Sequence, residues 1–215
     1  YEPYFIRDVL TMVNLNKNII LISGSLRKNS FNTKILKNFK TEICKFGYNC
    51  DIIDLNEYTL PFYNEDLEKV NLPKNLAALK QLFQNSTGLI VASPEYNGEI
   101  SAVLKNTFDW LSRKLPGEVP KQSFSGLKAI AVTSSTGKNG GMRALERLKI
   151  LLSRLGVKDE ILSFSLANTS DEIFDKKNNI LIEEQIFKIR NLVEYFITDI
   201  EIGQETTEQK ILKVS

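Results

Sequence analysis

Short apolar runs alternate with stretches of helical periodicity along most of this chain. Residues 19–22 form an apolar, β-branched run, the body of a first strand over 19–23, that breaks at Ser23-Gly24-Ser25 into a polar loop. From residue 31 to 46 the pattern turns helical, with Phe31, Ile35, Leu36, Phe39 and Ile43 on one face, and Gly47 ends it. Residues 50–55 read as a second strand, followed by the loop YTLPFYNED at 58–66. A helix over 74–85 starts after Pro73, and residues 88–93 form a third strand apolar enough for burial on both faces. PEYNG at 94–98 leads into a helix over about 101–113, and a polar connection over 114–126 leads to a fourth strand at 128–133. The loop SSTGKNG at 134–140 opens a helix over 141–155, which Gly156 stops. A fifth strand falls within 157–166 and a last helix covers 181–200. No internal repeat or low-complexity block interrupts the pattern.

Strands alternating with helices at this spacing predict an α/β chain with a parallel sheet covered on both faces. Five such strands fit a flavodoxin-like three-layer sandwich, a five-stranded parallel sheet of order 2-1-3-4-5 with helices on both faces. The domain covers residues 17–200. Residues 1–16 read as an N-terminal extension, upstream or expression-derived, with Met12 as a natural start, and 201–215 as a loose polar tail. Ligands of such sheets bind beyond the carboxyl ends of the strands. The loops GSLRKNS, PEYNG and SSTGKNG follow strands one, three and four, so all three are expected on the same edge.

The first of these loops has the chemistry of an anion site. A strand that empties into a Gly/Ser loop at a helix N-terminus aims unpaired N–H groups and the positive end of the helix dipole at the loop. Ser23, Ser25 and Ser30 add hydroxyls, Arg27 a guanidinium and Asn32 an amide. No GK[ST] follows Gly24, which excludes a Walker A loop, and one glycine stands where a dinucleotide fingerprint needs three. A terminal phosphate held by hydroxyls and one arginine, as in FMN, fits better than a pyrophosphate. The plain alternative is an ordinary strand–helix turn with Ser30 as N-cap and Arg27 in a surface ion pair.

Composition narrows the chemistry. At 215 residues with 42 % apolar residues the chain is an ordinary globular domain, and its net charge of +2, spread along the sequence, makes no case for nucleic acid. No apolar run approaches bilayer length and no secretory signal is visible, so the expected setting is the cytoplasm, without a membrane partner. There is no histidine, which removes Ser-His and Cys-His nucleophiles and leaves too few soft ligands for a metal. Cys44 and Cys50 lack C-x-x-C spacing and read as inert buried thiols. Redox or group-transfer chemistry must therefore come from a bound cofactor.

The loop GSLRKNSFN, together with SPEYNGEISAVLKNTFDWLSR over 93–113, resembles the NADPH-dependent FMN reductase family, which includes quinone, azo-dye and chromate reductases. The resemblance covers about residues 18–166. It implies that Ser25, Arg27, Ser30 and Asn32 hold the FMN phosphate. Pro94, Glu95, Tyr96 and Asn97 would line the isoalloxazine ring, and Ser134, Ser135, Thr136 and Gly137 would border its pyrimidine side and the ribityl chain. It also implies a homodimer or homotetramer, with Asn106, Asp109 and Trp110 near the subunit contact. The family usually has Pro-Gly where this chain has Ser101-Ala102, which bears on how the following helix starts.

The implied reaction is a two-step, ping-pong hydride transfer from NADPH or NADH through flavin N5 to a small acceptor: a quinone, flavin, azo or nitro compound, or metal oxyanion. No protein side chain is then a catalytic residue. Backbone N–H groups of the SSTGKNG loop are the expected donors to flavin N1/O2, and those of PEYN to the N5/O4 edge. Tyr96 reads as a pocket wall or a packing aromatic, and Glu95 as a partner for an amide or another chain. Lys138 and Arg143 read as solvated charge or as attraction for the NADPH 2′-phosphate, and Trp110 as core or subunit contact. The competing functions are a flavodoxin-type electron carrier, which net charge +2 disfavours, and a flavin-binding sensor without turnover.

Overall fold

The three central strands are apolar along most of their length because both faces of the sheet are covered there. A computed structural model of the chain describes residues 17–157 and 160–212; the N-terminal extension lies outside the described residues. Strands β1 (Asn18–Ser23), β2 (Asn49–Ile53), β3 (Gly88–Pro94), β4 (Lys128–Ser134) and β5 (Leu162–Leu166) form one parallel sheet in the order β2-β1-β3-β4-β5. Successive residues alternate between two cores, as the pleat requires. Ile20, Ile22, Leu89, Val91, Ala129 and Ala131 face one core; Ile19, Leu21, Ile90, Ala92, Ile130 and Val132 face the other.

The first core is closed by α3 (Lys74–Gln84), α4 (Ala102–Leu111) and α5 (Met142–Leu155), the second by α1 (Phe31–Cys44) and α6 (Glu183–Leu212). This is the three-layer sandwich and strand order expected. Two details differ. A short helix α2 (Glu65–Val70) follows the loop after β2; it buries no residue, so no apolar period announced it. Strand β5 falls within its expected stretch, but α6 runs past Ile200 to Leu212 where a loose tail was expected. Among the described residues no helix is long and apolar enough to cross a membrane.

Helix α4 is anchored by a buried ion pair. Lys80 of α3 is 2 % exposed, and its ammonium donates to the carbonyls of Leu111 at 3.1 Å and Arg113 at 2.7 Å, at the carboxyl end of α4. It also bonds Ser123 Oγ at 3.2 Å and pairs with Glu118 at 3.0 Å. Burial by itself raises the Glu118 carboxyl, but the Leu115 N–H, Lys80 and Gln84 outweigh it and hold the group below its ordinary value. A carboxyl depressed in the folded state adds stability at neutral pH, and that stability is lost as pH falls through the folded value. Replacing Glu118 by alanine strands a buried cation, and a loss of roughly 2–3 kcal/mol is expected in urea denaturation at pH 7. Across acidic pH, Glu118→Gln should flatten the fall in stability; an acid limb identical to wild type would contradict the assignment.

Candidate active site

Register decides where the three unusual loops meet. Ser23 pairs with Ala92, and Pro94 with Ser134, so β1, β3 and β4 end on one edge of the sheet. Adjacent strands lie about 4.8 Å apart, so the loops that leave them emerge side by side at that edge. The convergence expected from the sequence is present.

The loop after β1 keeps its donors free. Ser30 caps α1, its hydroxyl accepting from Thr33 N–H at 3.5 Å. The N–H groups of Phe31 and Asn32, in the first turn, have no protein acceptor among the described residues. Arg27 is exposed and forms no ion pair there. Ser30 and Asn32 are buried, at 3 % and 4 %, and the Asn32 Oδ1 has no hydrogen-bond partner. Half a turn of that amide presents its NH₂ donors instead. Ser25 holds the loop, accepting from Arg27 N–H at 3.3 Å, while Ser23 Oγ accepts from Thr33 Oγ1 at 3.0 Å. On the β2 side a cleft of about 390 Å³ opens, lined in part by Ser25, Arg27, Lys28, Asp54 and Asn56.

Gly24 has a reason the sequence did not show. Its N–H donates to Ala92 O at 2.7 Å, and a Cβ there would lie 2.7 Å from Ser101 Oγ and 3.1 Å from Leu104 Cβ. The glycine therefore lets the start of α4 close onto β1. Ser101, one of the two residues that replace Pro-Gly, caps α4 through Leu104 N–H at 3.4 Å, and its own N–H donates to Ser93 Oγ at 3.1 Å.

PEYNG is a closed turn. Tyr96 and Glu99 exchange both backbone hydrogen bonds at 3.0 Å, and Asn97 and Gly98 between them have φ of 54° and 82°. Positive φ at both central residues is the primed hairpin turn that Asn-Gly favours. Pro94 and Glu95 are half-buried, and Tyr96 and Asn97 are exposed at the rim. The Glu95 carboxylate accepts from Ala144 N–H at 3.1 Å.

The loop after β4 is held from β5. Thr133 and Ser165 hydroxyls both donate to Gly140 O, at 2.9 and 3.0 Å, and Ser135 N–H donates to Leu166 O at 3.1 Å. Ser134 is buried, Ser135 accepts from Gly137 N–H at 3.0 Å, and Thr136 and Gly137 are exposed. Of the two outlying cations, Arg143 lines a polar cleft of about 330 Å³ beside Asn97 and Gly98, together with Glu99 and Arg147; Lys138 does not line it.

Trp110 is core: it is 0 % exposed, its indole N–H donates to Pro61 O at 2.8 Å, and it meets Tyr63 edge-on. Asn106 also faces inward, donating to Pro61 O at 2.9 Å and accepting from Tyr63 N–H at 2.8 Å, while Asp109 pairs with Lys105 at 2.6 Å. Trp110 and Asn106 thus fasten the loop after β2, a role no local pattern announced. Cys50 is buried, and burial first, then the neighbouring Cys44, pushes its thiol up to about 12, as an inert thiol requires. Cys44, expected buried, is exposed, because it ends the solvent side of α1.

A family model described as NADPH-dependent FMN reductase matches residues 17–164. This chain belongs to that family. An NAD(P)H-dependent FMN reductase of Pseudomonas aeruginosa is 32 % identical over 175 residues, covering 78 % of this chain and 90 % of that protein. A quinone reductase of Escherichia coli is 31 % identical, covering 62 % and 68 %. Among solved structures, a flavoenzyme NAD(P)H:(acceptor) oxidoreductase from Paracoccus denitrificans superposes with a TM-score of 0.72 at 26 % identity, covering 87 % of this chain and 98 % of that one. For an FMN reductase the first loop is chemically apt: free helix N–H groups, an unpaired guanidinium, hydroxyls and an orphaned buried amide suit a phosphate monoester.

The close approach at Gly24 yields a test of the scaffold. Gly24→Ala forces α4 away from β1, and a loss of roughly 1–3 kcal/mol is expected in denaturant unfolding of the flavin-free protein. An unchanged midpoint would show that the contact has slack.

Proposed function

We propose that this chain is an FMN-dependent NAD(P)H oxidoreductase that works by ping-pong hydride transfer to a small acceptor, a quinone, flavin, azo or nitro compound, or metal oxyanion. The observation that carries the reading is the set of free donors at the start of α1, at the same edge of the sheet as the turn at 94–98 and the loop at 134–140. Ser25, Arg27, Ser30 and Asn32 hold the phosphate. The backbone of Pro94, Glu95 and Asn97 and the Tyr96 ring wall the isoalloxazine. Ser134, Ser135, Thr136 and Gly137 border its pyrimidine side and the ribityl chain.

Bound FMN supplies the hydride-accepting centre at N5. The protein's part is to fix the phosphate, to hold both walls rigid, and to aim backbone N–H groups where negative charge develops. Asn97 N–H and Thr136 N–H have no protein acceptor among the described residues and serve as donors. Tyr96 is 52 % exposed, so its ring is available to a nicotinamide and an acceptor that bind in turn. Assembly as a homodimer or homotetramer is part of the reading. It is supported by Phe62, 81 % exposed, and Val70, 85 % exposed, beside the loop that Trp110 and Asn106 hold.

The test is spectroscopic. The purified protein should carry or take up FMN, and its flavin absorbance should bleach on anaerobic addition of NADPH or NADH. Steady-state rates with a quinone should give parallel double-reciprocal lines. A flavin that no nicotinamide bleaches would favour a carrier or sensor, and failure to take up FMN would remove the reading. Arg27→Ala should weaken FMN binding by about 1.5–3 kcal/mol, the loss of a charge-assisted hydrogen bond. Unchanged affinity in fluorescence titration would take Arg27 out of the phosphate site.

A further inference from the structure

The turn after β3 and the helix after β4 share a carboxylate. Helix α5 begins after Gly141, whose φ of 82° and missing side chain leave the helix without a cap of its own. Glu95 reaches across and supplies one: its Oε2 accepts at 3.1 Å from the N–H of Ala144, in the first turn of the helix. An N-terminal N–H of this kind is normally satisfied by the residue just before the helix, and negative charge is favoured there. Gly141 keeps the approach open. A Cβ at that position would lie 3.1 Å from Thr133 Cβ and 3.6 Å from Glu95 Cβ. Of the neighbouring N–H groups, that of Met142 is satisfied by Asn139 O at 3.1 Å and that of Leu145 by Gly141 O at 3.0 Å, while that of Arg143 has no protein acceptor among the described residues. Glu99 and Arg147 form a second link between turn and helix at 3.3 Å, but both are about 60 % exposed and the pair contributes little.

We propose that Glu95 is a positioning residue: its carboxylate caps α5 from the turn after β3, fixes the turn at 94–98 relative to the loop at 134–140, and does not bond the FMN. The proposal rests on the FMN reductase reading and reassigns one side chain within it. It has two consequences. The positive end of α5 is already occupied by an anion, so negative charge at the flavin's pyrimidine edge is met by loop N–H groups instead. Thr136, Lys138 and Asn139 offer these, having no protein acceptor among the described residues. The turn at 94–98 and the start of α5 also behave as one body, so loss of the carboxylate loosens the two together.

The experiment compares wild type with Glu95→Gln, Glu95→Asp and Glu95→Ala by two readouts. Hydrogen–deuterium exchange of the Ala144 amide is followed in the flavin-free proteins, and FMN affinity is measured by fluorescence quenching. Glutamine keeps an oxygen at the right reach, so Glu95→Gln should retain slow exchange and an affinity within about threefold of wild type. Alanine, and aspartate one methylene short, should speed exchange and weaken FMN binding, each roughly tenfold. Unchanged exchange in both Glu95→Asp and Glu95→Ala would overturn the cap. Glu95→Gln with slow exchange but an affinity as poor as Glu95→Ala would overturn it too, by showing that the charge acts on the ligand. If Glu95→Ala fails to fold, the contrast between Gln and Asp decides. FMN binding by none of the proteins, wild type included, would contradict the FMN reading while the exchange pattern still reported on the cap.

Discussion

The central constraint is the double pairing of β3. It lies between β1 and β4, parallel to both, so the three strands must release their loops at the same edge. Each of those loops would be unremarkable alone. Brought to one edge they place a donor-rich helix N-terminus beside two hydrogen-bonded backbone turns. The sheet can bring them together because its central strands are apolar on both faces, which leaves the carboxyl edge as the place where polar backbone remains available.

Rigidity at that edge comes from small, specific contacts rather than from bulk. Gly24 lets α4 close on β1, and Ser93, Ser101 and Leu104 lock the start of that helix. Thr133 and Ser165 both bind one carbonyl, Gly140 O, and so hold the loop after β4 against β5. Behind the site, Lys80 gathers the carboxyl end of α4, and Asn106 with Trp110 holds the loop after β2. A chain without histidine can host oxidoreductase chemistry on such a frame, because the frame has to hold and orient a cofactor rather than supply a nucleophile.

The sequence showed those parts of the fold that depend on local periodicity. The strand order and the two-sided core follow from apolar runs such as residues 88–93 and from helical stripes such as Phe31, Ile35, Leu36, Phe39 and Ile43. The three loops were legible because Gly, Asn and Ser cluster where the chain must turn. Helix α2 was not, since it presents no apolar face, and the last turns of α6 were not, since their composition reads as tail. The purposes of Gly24 and Glu95 were hidden for a different reason. Each depends on a contact far along the chain, Gly24 with Ser101 and Glu95 with Ala144, and no spacing pattern encodes it. Trp110 was ambiguous between core and subunit contact until the partner of its N–H was known.

The most direct measurement of the central claim is a crystal structure of the protein with FMN bound. The phosphate should sit at the start of α1, within hydrogen-bonding distance of Arg27, Ser30 and the Phe31 and Asn32 N–H groups. The ring should lie between the turn at 94–98 and the loop at 134–140. A phosphate bound away from the α1 N-terminus, or a ring outside the crevice between those two loops, would contradict the account.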